Sequence, residues 1–553
     1  MKSIRALGGL YLLPLAFLAV FFFYPLAVVV SQSLAPGGQW NLAPTLRFLG
    51  QPYFGRVLWF TTWQATLSTL LTLALGLPAA YVFARYRFPG KSLLQALTTI
   101  PFVMPTVVVA AAFTALLGPH GWLNTLLMEW FDLSQGPIRL QQSVWLILIA
   151  HAFYNTTVVV RIVGSFWANL DLRLAQAARV LGANQLHVFT EITLPLLLPA
   201  IGAAALLVFL FSFTSFGVIM ILGGPTFATL EVEIYRLAVS LFRLPEAAAV
   251  SLVQILATFV VMLIYSRVQA RVTVPLELRP GEETAAAPSS PATFALVSGI
   301  VAALAVFLLA PLAALIARSL APGDSLRYYR ELFVNRTGSI FYVTPGLAVR
   351  NSLVFAIAAT VMAVALALIT AYLLARSQGK LARILEPSVL LPLGTSAVTL
   401  GFGYLLALNQ PPLNLGASPL LVPIAHTLVA YPFAVRALLP ALRGLDPNWR
   451  EAAAVLGASP WRVWREIEFP IIGRAVLVSA VFAFTISMGE FGATLLIGRP
   501  EFPTMPVAIY RLLGQPGALN YGQALAMSTL LMLICALGFL VIERFRVGEI
   551  GEF

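Results

Sequence analysis

The sequence predicts an all-α polytopic membrane protein of about 12 transmembrane helices, arranged as two parallel six-helix repeats. Three observations predict it. The chain is 59% hydrophobic and only 10% charged, with a mean hydropathy of +0.89; a soluble domain carries about 25% charged residues. Twelve segments approach the ~20 apolar residues that a spanning helix needs. Stretches of the first half recur, in register, in the second.

Taken in order, the expected spans are 8–33, 57–84, 93–118, 142–163, 194–222, 245–266, 292–317, 351–375, 384–408, 418–440, 470–498 and 522–543. The first follows Lys2 and Arg5, as a signal peptide would. Its apolar run is too long for a signal core and no small-residue cleavage site follows, so it reads as a retained span. Three segments carry interruptions: His151 and Asn155 in the fourth, His426 and Pro432 in the tenth, Glu490 in the eleventh. Residues 272–291 are rich in Pro, Ala and Glu and read as a flexible tether. The division is thus a first half over 1–271, a linker over 272–291 and a second half over 292–553.

Charge sets the orientation. The net charge of +12 would suggest nucleic acid in a soluble protein, but no nucleic-acid partner is expected here. With both termini in the cytoplasm, most of the 34 Lys and Arg residues fall in inner loops or at inner span ends, Arg85, Arg87, Arg173, Arg443 and Arg462 among them. That matches the positive-inside rule. The basic 319–350 loop on the outside weakens the bias. The single cysteine, Cys535, lies in an apolar run and excludes an intrachain disulfide or a cysteine-based metal cluster.

The repeat decides the architecture. Residues 25–37, PLAVVVSQSLAPG, match 311–323, PLAALIARSLAPG. Ala80-Tyr81 and Ala84-Arg85 match Ala371-Tyr372 and Ala375-Arg376. From the fourth span onward the offset is 275: His151 with His426, Arg161 with Arg436, Ile234-Tyr235-Arg236-Leu237 with Ile509-Tyr510-Arg511-Leu512. Six spans is an even number, so both halves begin and end on one side. The repeat is parallel, about an axis along the membrane normal. Two facing halves place a pathway between them, which suits a transporter.

The sharpest motif lies between the fourth and fifth spans of each half, in loops 170–195 and 445–470. The copies read QAARVLGANQLHVFTEITLP and EAAAVLGASPWRVWREIEFP. A short helix of small residues (Gln176, Ala177, Ala178; Glu451, Ala452, Ala453) permits close approach by another surface. Gly182 and Gly457 allow a sharp change of direction. A second short helix follows, carrying Val188, Phe189 and Ile192, or Val463, Trp464 and Ile467, along one side, with Glu191 and Glu466 beside them. Pro195 and Pro470 mark entry into the next span. Apolar residues rimmed by arginines suit either a docked protein or a helix lying on lipid headgroups. Repetition at one spacing favours two equivalent surfaces on a paired partner.

This spacing, E-A-A-x3-G-x9-I-x-L-P, resembles the signature of the inner-membrane permease subunits of bacterial ABC importers. The resemblance covers essentially the whole chain, and two motifs in one polypeptide are similar to the fused permeases of the thiamine and ferric-iron importers. It implies a type I importer fold in a bacterial inner membrane. It implies that each loop seats in a groove of one of two ABC ATPase subunits, and that a periplasmic or surface-tethered binding protein delivers the substrate. It implies no cofactor in this chain, ATP and magnesium being bound by the ATPases. Two departures stand out: Phe469 where the family has leucine, and Gln176 where it usually has glutamate. A neutral amide cannot make the same salt bridge. The run from Thr229 through Glu231 and Glu233 to Tyr235, with Leu244-Pro245-Glu246 beyond it, resembles thiamine permeases somewhat more than ferric ones. The run Gly489-Glu490-Phe491-Gly492-Ala493-Thr494 also occurs in ferric and molybdate permeases. Thiamine is the first substrate expectation, ferric iron the second, and a polyamine or phosphonate-like solute the third.

Other constellations point less sharply. Gly90-Lys91-Ser92 has the tail of a phosphate-binding loop, but position 85 is arginine where that loop needs glycine. Glu490, matched by Ser215 in the first half, is a carboxylate inside a span. Such a group faces a partner or a pathway, so Glu490, Ser215, Phe216 and Phe491 are candidates for a pathway or gate; helix packing or capping is the alternative for Glu490. His151 and His426 occupy equivalent positions. A pair on the axis would suit a metal or protons, but without nearby carboxylates each more simply bonds a neighbouring carbonyl. A twelve-span carrier driven by an ion gradient shares the two-half plan but does not explain the twin loops. A membrane enzyme would need a convergent catalytic set, and none is visible.

Overall fold

The computed structural model describes residues 10–170, 172–224, 226–272, 286–335, 343–376, 379–411 and 413–545. Most of the 272–291 linker, together with Lys2, Arg5, Arg279 and Arg546, lies outside them. Apart from the isolated bridges Tyr86–Ala286 and Ala321–Asp324, the described residues form helices and their connections. Among the described residues, eleven helices are long and apolar enough to cross a membrane, or 12 if one pair bent by 103° counts as a single span.

Each half is built on a tight three-helix unit. In the first half, Pro52–Arg85, Val144–Ala168 and Leu194–Phe213 pack on one another; in the second, Pro345–Arg376, Leu421–Arg443 and Phe469–Gly489 do the same. These are the second, fourth and fifth spans. The contact faces are rich in Ala, Gly and Thr, which lets backbones approach closely. Gly76 shows how closely: a Cβ there would stand 2.7 Å from Val159 Cβ.

The first spans reach across to the opposite half. Tyr24–Leu34 packs on Ala397–Ala407, and Pro291–Ser319 packs on Thr106–Leu117. The two halves are therefore interlocked rather than merely apposed.

Two expected spans in each half are broken. The third, read as a continuous 93–118, is Lys91–Val103 followed by Thr106–Leu117. Pro105 causes the break by driving Met104 into extended backbone (φ −70°, ψ 139°). Its counterpart, read as 384–408, bends by 103° between Lys380–Gly394 and Ala397–Ala407. There the first helix stops at Gly394 and Ser396 caps the next, its Oγ accepting from Val398 N (3.1 Å) and Thr399 N (3.3 Å). The fifth spans, read as 194–222 and 470–498, stop at Phe213 and Gly489 and resume as Gly217–Leu222 and Gly492–Ile497. Only Pro105, Thr395-Ser396, Thr214-Ser215 and Glu490 interrupt the apolar runs at these points, too briefly for hydropathy to end a span there.

After each broken fifth span comes a short interface helix, Leu230–Tyr235 in the first half and Met505–Leu513 in the second. Each packs on the broken third span of the opposite half.

The close packing gives a test. A Cβ at Gly401 would lie 2.8 Å from Ala493 Cα, so backbone must move, whereas a Cβ at Gly299 meets nothing within 4 Å. Gly401→Ala is expected to destabilise the chain by about 1–3 kcal/mol, the usual range for overpacking. A lowered melting temperature in detergent is the readout, with Gly299→Ala unchanged as the control.

Candidate functional site

Positions related by a two-fold axis can touch each other only near that axis. Phe216 and Phe491 are related by the 275-residue offset, and their rings stack at 5.5 Å with an interplanar angle of 29°. They therefore mark where the axis passes between the halves. Tyr235 and Tyr510, also equivalent, flank them: Phe216–Tyr235 centroids are 5.8 Å apart and Phe491–Tyr510 centroids 5.5 Å. Gly217 leaves room for this arrangement, since a Cβ there would lie 3.3 Å from Phe491 Cδ1 and 2.3 Å from Thr106 Oγ1.

Both phenylalanines sit at the helix breaks, and buried polar side chains hold the breaks open. A helix start in an apolar environment leaves N–H groups without water to bond. Glu490 answers this in the second half. Its Oε1 accepts from Ala493 N (2.8 Å), and its Oε2 accepts from Thr494 N (3.0 Å) and Thr494 Oγ1 (2.5 Å). His426 locks the cluster, with Nδ1 2.7 Å from Ser487 Oγ and Nε2 2.8 Å from Thr494 Oγ1 and 3.3 Å from Glu490 Oε2. In the first half Ser215 stands in the glutamate's place, and His151 bridges Ser68 Oγ and Ser215 Oγ, both at 2.9 Å. The expectation that the histidines bond helix carbonyls is thus corrected. Their partners are hydroxyls of the same half, because the breaks bring serine and threonine side chains to the rings; His426 also faces the Glu490 carboxylate, which corrects the expectation that no carboxylate lies near. For Glu490, the capping alternative is the arrangement present.

The two motif loops are near copies in three dimensions. Leu172–Val180 and Pro447–Val455 are the first short helices. Each ends in a glycine with left-handed backbone, Gly182 at φ +93° and Gly457 at φ +81°. The hydrogen bonds Ala458 N to Ala453 O and Gly457 N to Ala454 O (both 3.0 Å) close a Schellman turn, repeated by Ala183 N to Ala178 O and Gly182 N to Arg179 O. The second helices, Gln185–Val188 and Pro460–Val463, are capped by Asn184 and Ser459. They pass through wider π-turns, Phe189–Thr193 and Trp464–Glu468, into the fifth spans.

Gln176, Ala177, Glu191 and Pro195 are exposed, as are Glu451, Ala452, Glu466 and Pro470, while Ala178, Ile192 and Ile467 are half-buried and Ala453 is buried. Glu191 faces His187 at 3.7 Å and Glu466 faces Arg462 at 3.0 Å, equivalent pairs one helical turn apart. The expected apolar side of the second helix is only partly outward: Val188 and Val463 are buried within the loop. The outward apolar residues there are Leu186 and Trp461, and the turns add Val180 and Leu181, both 88% exposed, and Val455 and Leu456, both 87%. The repeated Val-Leu-Gly would have signalled the turn residues.

The sequence reading also missed Glu468. Its buried carboxylate pairs with Arg376 (2.5 Å) and Arg450 (3.2 Å), tying the second loop to the end of the second span. The equivalent of Glu468 is Thr193, so the first loop lacks this tether.

The sequence matches the profile of binding-protein-dependent transport system inner membrane components twice, over residues 72–274 and 363–546. The chain belongs to that family. It is a multi-pass inner-membrane transport permease. It is 28% identical over 508 residues to the thiamine transport system permease protein ThiP of Escherichia coli (strain K12), covering 89% of each chain. It is 25% identical over 525 residues to the probable ABC transporter permease protein y4fN of Sinorhizobium fredii (strain NBRC 101917 / NGR234), covering 90% of this chain and 88% of that one. A crystal structure of a bacterial ABC transporter for alginate import superposes on 49% of this chain and 98% of that one, with a TM-score of 0.42 and 21% identity.

Two outcomes follow from this geometry. Glu490→Gln keeps one acceptor but turns an NH2 group toward a backbone donor, so it is expected to destabilise the chain by about 1–3 kcal/mol, read as a lower melting temperature. Ser215→Ala, in the half with no carboxylate cap, is expected to have the smaller effect.

Proposed function

We propose that this chain is the complete translocation pathway of an ATP-driven thiamine importer, supplying both permease halves. The thiamine assignment draws support from the thiamine transport system permease protein of Escherichia coli, which this chain matches over 89% of both lengths. In this reading, two copies of an ABC ATPase dock on loops 170–195 and 445–470, on the cytoplasmic side with both termini. A solute-binding protein delivers thiamine to the opposite face. ATP and magnesium bind to the ATPases.

The observation that carries the ATPase assignment is the pair of equivalent exposed tips, Val180-Leu181 and Val455-Leu456, each held by a Schellman turn. Two matching apolar projections at pseudo-two-fold positions suit two copies of one partner. Each loop continues through a π-turn into a fifth span. That span is a rigid rod ending at the break beside Phe216 or Phe491. Movement of a docked ATPase would reach the axis along this rod. The stacked phenylalanines, flanked by Tyr235 and Tyr510, are the proposed gate. Glu490 and Ser215, with their histidines, position it.

The test is to purify the chain from its native membrane, identify co-purifying subunits and titrate the recovered binding protein with thiamine and with ferric ion. An ATPase and a thiamine-binding protein are the expected result. A chain that emerges alone and transports by the proton or sodium gradient, indifferent to vanadate, would remove the ATPase assignment. A binding protein selective for ferric ion would move the substrate.

Leu456→Asp is expected to cut ATPase co-purification by on the order of tenfold without lowering the melting temperature, because the side chain touches little of its own protein. Gly457→Val should do the same and also lose about 1–2 kcal/mol, since a β-branched residue is poorly accommodated in left-handed backbone. Normal capture of the ATPase by both variants would place the docking surface elsewhere.

A further inference from the structure

Two acids lie two residues apart on the first interface helix, and only one is neutralised. Glu233 accepts from Arg236 Nε and Nη2 and from Tyr53 Oη, each at 2.8 Å. Glu231 is equally buried, with no exposed surface, and makes no ion pair among the described residues. Its Oε1 accepts from Gln254 Nε2 at 2.9 Å and its Oε2 from Ser396 Oγ at 2.5 Å. A buried carboxylate without a cation is costly to hold in a membrane interior, and such groups mark substrate or ion pathways.

Its position is more informative than its burial. Gln254 belongs to the same half, whereas Ser396 is the cap residue at the broken third span of the other half. The Glu231–Ser396 contact therefore crosses the interface that must open for transport. Tyr235 lies four residues on, on the same helical face, and packs on Phe216 at the axis. Glu231 is one helical turn from the aromatic cluster. The arrangement is asymmetric, because the second half has Pro506 at the equivalent position. Parting the halves removes one of the carboxylate's two donors and leaves it one helical turn from the Tyr235 ring, which packs on Phe216 of the same half. A carboxylate next to aromatic faces is a receptor for an organic cation of low hydration, such as a quaternary ring nitrogen.

We propose that Glu231 is the residue in the inter-half interface that receives the positive charge of the substrate, exchanging Ser396 for the cation as the halves separate. The substrate class is a compact aromatic cation, and the proposal rests on the thiamine reading given above.

The test uses the full permease–ATPase complex in proteoliposomes, supplied with binding protein saturated with thiamine or with its uncharged isostere, in which a thiophene ring replaces the thiazolium. Wild type is expected to move thiamine faster than the isostere by on the order of tenfold. Glu231→Gln should bring that ratio close to one. Glu231→Asp should retain the preference with weaker half-saturation, and it decides the matter if Glu231→Gln fails to accumulate in the membrane. Ser396→Ala breaks the same contact from the other side but keeps the carboxylate, so it should keep the preference. An unchanged ratio in Glu231→Gln would overturn the assignment. So would an equal collapse in Ser396→Ala, which would make the contact a structural latch. Wild-type complex that moves neither compound, with a binding protein that ignores thiamine, would overturn the thiamine reading and this assignment with it.

Discussion

Every helix break inside the apolar interior has to satisfy its own backbone, because no water is there to do so. The rest of this structure depends on how four such breaks are satisfied. Glu490 and Ser396 bond the N–H groups of a restarted helix directly. Ser215 and His151 tie down the first-half break, and Pro105 starts its helix without a donor to satisfy. Once these breaks are stable, short helices can turn back between the two halves. The contact between the halves is made largely of those short segments and the first spans that reach across to them.

The duplicated architecture is close to symmetric in its skeleton and unsymmetric in its charges. Phe216 with Phe491, Tyr235 with Tyr510, His151 with His426 and the two Schellman turns all obey one offset. The carboxylates do not. Glu231 faces a pseudo-equivalent Pro506, Glu490 a Ser215, Glu468 a Thr193 and Glu451 a Gln176. Packing and turn geometry are what both halves share, since each half must fold the same way. Each buried acid, Glu231, Glu233, Glu468 or Glu490, stands in one half without an acidic counterpart in the other. Duplicating an acid on a two-fold axis would bring like charges together in a low dielectric, where their repulsion is large.

The second loop is also more firmly joined to its bundle than the first. Arg376 and Arg450 converge on Glu468 just where the loop enters the fifth span. In the first half Arg85 occupies the place of Arg376, and its Nη1 is buried without a hydrogen-bond partner among the described residues. The two connections between loop and axis are thus mechanically unlike, although their helices are nearly the same.

The sequence by itself determined the helical class, the parallel repeat, the placement of the two loops and the glycine at the turn of each. These follow from hydropathy, in-register matches and local chain geometry, all of which are properties of short segments. It also determined that Phe216 and Phe491 are equivalent. Only the tertiary structure decided that they touch, because contact across an axis depends on how two halves dock. Likewise, hydropathy did not reveal the breaks in the third and fifth spans, where Thr395-Ser396, Thr214-Ser215 and Glu490 interrupt otherwise apolar runs too briefly to end a span. Glu490 was recognisable as unusual, but its role as a cap rather than an open pathway group depends on backbone N–H groups that hydropathy does not register. Glu231 was visible in the sequence only as one of two acids in a run that resembles thiamine permeases. Its bond to Ser396, 165 residues away, belongs to the docking of the two halves. Side-chain chemistry that joins distant segments is set by packing, and that part could be read only from the folded chain.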